Sequence, residues 1–203
     1  SVRATGDPAA PGLEGTALLD GGRLRMAGSP LLAADRLKAT AHIEPGGIRI
    51  EDVSGTLAGG ELRGSGSVGL AGLEPRSIVL EGKVTGASVE LPKGLRGLYS
   101  GDVKFEAAAG SAPSLTGRIE MIRGVWRRNF ELDRVNLLAR ERAPVVELPR
   151  PDEGLDRTTL AVTIEANDNL WLRNDLADAE ARGRFEVRGT IGHPLVSGHC
   201  ETI

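Results

Sequence analysis

The sequence predicts an all-β fold, and three observations carry that prediction. Apolar and polar residues alternate with a period of two in segment after segment, as strands with one wet and one dry face require. Turn signals such as EPGG, LAGG and PRPDEG separate these segments at short intervals. A sustained helical stripe is missing, so the strands are read as neighbours with nothing between them but turns.

Ile48 and Ile50 begin the first clear segment. Leu62, Gly64, Gly66, Val68 and Leu70 then share one parity against Glu61, Arg63, Ser65 and Ser67. Ile78, Leu80, Gly82 and Val84 follow, then Val103, Phe105 and Ala107, then Leu160, Val162 and Ile164. The stretch EARGRFEVRGTIGHPLVSG is the most regular, with Ala181, Gly183, Phe185, Val187, Gly189 and Ile191 opposed by Arg182, Arg184, Glu186, Arg188 and Thr190. Gly-x-h-x-h-x-Gly recurs at Gly22 and Gly183, where h is apolar, and Pro-x-h-x-Gly at Pro11, Pro113 and Pro194. Their unequal spacing excludes a tight solenoid repeat but suits an extended structure built from similar hairpins. Two places depart from the strand pattern. Ser29 to Ala39 reads as a short helix with Ser29 as N-cap and Pro30 at the first helical position. Leu91 to Gly101 reads as an irregular turn or a single helical turn. Residues 140–157, with three prolines and mixed charge, read as a loop between two parts of one sheet. The whole of 1–203 is read as a single segment.

Composition narrows the function. Glycine, at 28 of 203 residues, is about twice as frequent as the usual ~7%, while aromatics make up only 3%. The dry parity is therefore lined by Leu, Val, Ile, Ala and Gly, which suits a face that holds something other than tightly packed protein. A net charge of −3 argues against nucleic-acid binding. One cysteine, Cys200, excludes an internal disulfide. SVRATGDPAAPG at the start lacks the apolar region of a signal peptide, and no apolar run approaches the ~20 residues of a membrane span. The chain is expected to be a soluble piece of a longer protein.

Motifs for chemistry give way to plainer readings. Gly64, Gly66 and Gly69 match Gly-x-Gly-x-x-Gly, but they keep the rhythm of a strand, whereas a dinucleotide loop opens a helix. His199 and Cys200 are neighbours, so on a strand they face opposite ways and share no metal, and His42 and His193 lie elsewhere. No serine sits in a Gly-x-Ser-x-Gly elbow, and the carboxylates fall singly on the wet parity. No enzyme, metal or cofactor is expected. Arg118 to Arg142 carries seven arginines against four acids, with Trp126 among them. Either this is a polar strand face with a tryptophan at the sheet edge, or Arg123, Trp126, Arg127 and Arg128 contact anionic lipid headgroups or an acidic partner.

SGTLAGGELRGSGSVGL, then VTGASVELPKGLRGLYSGDVKFEAAAGSAPSLTGRIEMIRGVW, then NDNLWLRNDLADAEARGRFEVRGTIGHPLVSG resembles the translocation and assembly module inner-membrane subunit (TamB) family of AsmA-like proteins. The resemblance runs from about Leu32 to Ile203 and rests on Gly59-Gly60, on the turn from Pro113 to Ile119, and on Asn169 to Arg173. It implies an elongated sheet curled into an open hydrophobic trough, a β-taco, within a periplasmic protein anchored in the inner membrane by an N-terminal segment absent here. It also implies an outer-membrane partner of the Omp85 barrel class, and a role in phospholipid movement or in outer-membrane protein assembly, the latter by strand augmentation. About twelve strands at ~4.8 Å would make a trough of roughly 55 Å. The expected lining is Leu62, Val68, Leu80, Val84, Phe105, Leu115, Ile119, Met121, Val162, Ile164, Phe185 and Val187.

Overall fold

The computed structural model describes residues 2–7, 10–26, 29–90, 95–127, 156–173 and 178–203. Its strands are β1 (Val2–Asp7), β2 (Ala10–Met26), β3 (Ser29–Glu44), β4 (Gly47–Leu57), β5 (Gly60–Ala71), β6 (Glu74–Glu90), β7 (Leu95–Ala108), β8 (Ser114–Trp126), β9 (Thr159–Arg173), β10 (Asp178–Thr190) and β11 (Pro194–Thr202). They form one 11-stranded sheet in sequence order, and its two edges do not meet. At ~4.8 Å per step the sheet is about 48 Å long across its strands.

Two local expectations are corrected. Ser29–Ala39 is strand, not helix, because β3 is laddered on both sides, with Ala41 opposite both Ala17 of β2 and Ile50 of β4. Within the segment itself Ala34 is paired with both Leu24 and Leu57, and pairing on two sides outweighs a helix with only a fragment of an apolar stripe. Leu91–Gly101 is likewise strand from Leu95 onward, where Leu95 pairs with Trp126; residues 91–94 are not among those described. The loop read at 140–157 also lies outside them, except for Asp156, which is helical, and Arg157, which is in a turn.

Hairpin turns follow the signals in the sequence. Ala58 and Gly59 both have positive φ, 48° and 82°, as a two-residue type I′ turn demands. Every strand pair is antiparallel except β8 and β9, which run parallel with Gly117 opposite Val162. A parallel pair requires a crossover of a dozen residues or more, and the chain between Trp126 and Thr159 is long enough to supply it.

Curl is built from β-bulges. Left-handed residues sit in register shifts along the sheet: Gly21 between the Leu19 and Gly22 pairings, Arg36 between Asp35 and Lys38, Asp52 between Ile50 and Val53, and Gly86 between Val84 and Ala87. Asn169 occupies the shift between β8 and β9. Each extra residue bends its strand and increases the local twist, which turns a flat sheet into a curled one.

Two glycines separate the causes of strain. At Gly86 (φ +72°) an added Cβ meets nothing, so Gly86→Ala loses only the left-handed backbone preference, about 1 kcal/mol. At Gly101 the Cβ would strike the Arg118 carbonyl and lie 2.9 Å from Ile119 Cα, so Gly101→Ala forces two strands apart and costs about 2–3 kcal/mol. Urea titration of both variants is expected to rank them in that order.

Candidate functional site

The site is the apolar face of the sheet, and strand register assembles it. Directly opposed residues on neighbouring strands project to the same side. One row runs Gly55, Leu62, Val84, Gly101, Ile119, Ile164, Phe185, Gly198 from β4 to β11. A second runs Ile50, Gly66, Leu80, Phe105, Leu115, Leu160, Gly189. Val68 lies between Ile48 and Ile78 in a third, Val162 between Gly117 and Val187 in a fourth, and Met121 faces Tyr99. All twelve residues of the expected lining thus share one face across six strands, β5–β10.

Their accessibility differs. Leu80 is 41% exposed and most of the others are half-buried, whereas Met121 (5%) and Val162 (7%) are covered by their own neighbours. No two strands that are not sheet neighbours pack extensively, so no second layer covers this face among the described residues.

Glycines on this face are not vacant space. Leu80 Cδ2 lies 2.6 Å from where a Cβ of Gly66 would be, Val103 Cγ1 2.8 Å from that of Gly117, and Phe185 Cδ1 2.6 Å from that of Gly198. The large residue opposite or beside each glycine lies flat over it, the cross-strand arrangement by which an aromatic ring covers a glycine in a sheet. The result is a low, smooth apolar surface rather than a row of holes.

At one end of β7–β10 the same face becomes a true core. Leu95, Met121, Ala166, Leu170 and Ala181 are all buried, with Tyr99, Trp126 and Leu172 packed against them. Burial there pushes the Tyr99 hydroxyl above the ordinary tyrosine value.

The opposite face carries the charge. Arg182 binds Glu201 at 2.6 Å, Arg63 binds Glu61 at 2.7 Å, and Lys104 lies between Glu81 and Glu106. Glu106, by hydrogen bond and charge, holds the Lys104 ammonium above its usual value. These pairs are exposed and add little stability, but they fix this side to water. A hollow of about 890 Å³ lies on this face among Arg63, Lys83, Lys104 and Arg118, its charge partly balanced by Glu81 and Asp102. It is separate from the apolar strip and has polar walls.

The arginine-tryptophan group is split by the sheet. A bulge at Ile122 puts Trp126 on the apolar face, opposite Leu95, while Arg123 lies opposite Leu98 on the outer face. Arg127 is exposed at the strand end, and Arg128 falls outside the described residues. The tryptophan on Arg123's face is Trp171, paired with Val125 and capped by the Arg173 guanidinium 5.2 Å from its ring. The bulge exchanges the faces that plain alternation from Ile119 and Met121 gives Arg123 and Trp126, which is why sequence reasoning did not place Arg123 on the face of Trp171. His199 and Cys200 are consecutive on β11, so their side chains leave opposite faces. The Gly64–Gly69 motif lies inside β5.

A family model described as the TamB C-terminal domain matches residues 51–203, which take in most of β4 and all of β5–β11. No curated protein and no solved structure matches the chain.

Tyr99 is the only tyrosine, so its titration can be read directly by phenolate absorbance. It is expected to ionise above pH 10, the ordinary value. Because the folded value is raised, this group's contribution to stability is complete below the unfolded pKa and is lost as pH rises through the folded one. Leu170→Ala, at a side chain 4% exposed, is expected to cost about 3 kcal/mol by urea denaturation, and Leu80→Ala, at 41%, less than half of that.

Proposed function

This chain belongs to the TamB family, and from that premise we propose that it is a length of lipid conduit, sheltering phospholipid acyl chains on its apolar face as they pass between the inner and outer membranes. Family membership carries a role in the translocation and assembly module, in the bacterial envelope, and sets the chain among structural and transport modules rather than known enzymes. The periplasmic trough, the lipid cargo and an Omp85-class partner at the outer membrane are our reading.

The observation that supports it most is the uncovered apolar face. Rows of Leu, Val, Ile and Phe continue across β4–β11 with no second layer over them among the described residues. An apolar strip of this extent is costly in water and marks a contact surface. Each acyl CH₂ sheltered there gains about 0.8 kcal/mol over water. That attraction has no direction, so a chain slides from row to row without breaking specific bonds. Glycines covered by flattened neighbours serve the same end, because a smooth floor has low barriers.

A second reading, a chaperone for outer-membrane strands, draws on β11. It is exposed along its whole length and pairs only with β10 among the described strands. A strand-shaped client would extend the sheet there by backbone hydrogen bonding. Peptide bound at that edge would be indifferent to lipid on the face.

Organic extraction of detergent-free protein followed by lipid mass spectrometry tests the conduit. Phospholipid is expected at reproducible stoichiometry, and Val187→Asp or Ile164→Asp, each placing a charge in the strip, should reduce it at least tenfold with strand content largely retained. Undiminished lipid in both variants would refute the assignment of the face. Protein that is folded but free of lipid would turn the balance towards the chaperone.

A further inference from the structure

Apolar residues on the trough face of β7–β10 fall into two groups. Towards the start of β7 and the ends of β8 and β9, Leu95, Met121, Leu170 and Ala181 are at most 8% exposed. The glycines between them are filled from within the protein. A Cβ at Gly97 would lie 2.6 Å from the Tyr99 ring, and one at Gly124 would strike Met121 Sδ and sit 3.2 Å from Leu170 Cδ1. At the other half of the same strands, Phe105, Leu115, Leu160 and Val187 are only half-buried around Val162, which at 7% exposed forms the floor between them, and no second layer reaches them among the described residues.

A ligand on this face takes the surface that protein atoms leave open. We infer that one wall of the trough is sealed by its own side chains in β7–β10, and that acyl chains are confined there to a strip between the Phe105–Leu115–Leu160 row and the Ile119–Ile164–Phe185 row. This rests on the conduit reading and narrows it. The two rows are four residues apart along each strand, about 13 Å. Such a strip takes the two chains of one diacyl lipid side by side. Lipids therefore cross β7–β10 in single file, whereas on β4–β6 the self-packed wall is absent: the buried cluster draws no residue from those strands. The sealed wall makes β7–β10 the narrow part of this segment and sets the width of cargo that it passes.

The test needs no substitution. Full-length chain is loaded from vesicles with phosphatidylethanolamine bearing a diazirine midway along one acyl chain, illuminated, digested and mapped by mass spectrometry. Adducts are expected on Phe105, Leu115, Ile119 and Ile164 at ten or more times their yield on Leu95, Tyr99 and Leu170. Comparable yields at the two groups would overturn the sealed wall while leaving the conduit intact. Failure of the protein to take up any probe would overturn the conduit reading and this inference with it. Native mass spectrometry of the loaded protein adds a count: two lipids side by side on β7–β10, seen as doubled adduct yield at saturation without label on β4–β6, would also refute single file.

Discussion

Register between neighbouring strands is the constraint on which the molecule depends. With a side-chain period of two, a slip of β6 by one residue against β5 would turn Leu80 and Val84 away from the face of Leu62 and Val68 and bring Glu81 and Lys83 onto it. Among the described residues no second layer packs on the sheet to correct such an error. What holds the register instead is the fit of large residues over glycines, Leu80 over Gly66 and Phe185 over Gly198, together with short hairpin turns. Moving either partner by one place would put a Cβ where a side chain now lies.

From that register follow both the shape and the surface. Because large residues lie flat over glycines, the apolar face stays low. A Cβ at Gly64 would be 2.6 Å from the Glu81 carbonyl oxygen, and at Gly117 2.5 Å from that of Asp102. A side chain at either position would have no room between the strands. The bulges at Asp52, Gly86 and Asn169 add the twist that a plain ladder lacks. Composition has the same origin: a curled, uncovered face needs glycine and small aliphatic residues, and has little use for the aromatic mass of a closed core.

The packed group around Leu170 and Ala181 stands out against this background. It is the one place among the described residues where apolar side chains bury one another completely, and it lies where β8 and β9 run parallel. Evenly spaced, slanted hydrogen bonds make a parallel pair slightly weaker per residue. Packing on the apolar face at that junction compensates for it, and leaves the rest of the strip available. Stability and accessibility are thus divided along the same strands: one half packs into a cluster, while the other, apart from Val162, is only half-buried.

Much of this was legible in the amino-acid order alone. Alternation at Leu62–Leu70 and Gly183–Gly189 determined strands and which residues within each share a face, because side-chain direction in an unbulged strand follows parity. The Gly59-Gly60 signal marked a hairpin, which the pairing of Leu57 with Gly60 places one residue earlier, at Ala58-Gly59. Three things were decided by tertiary structure. Ser29–Ala39 became strand because ladders on both sides outweigh local helix signals. The parallel β8–β9 pair depends on where a distant strand docks, which no local pattern encodes. Trp126 turned to the apolar face and Arg123 to the charged one because one bulge at Ile122 reverses the parity of both, and a bulge arises from the pairing of two strands rather than from the sequence of either.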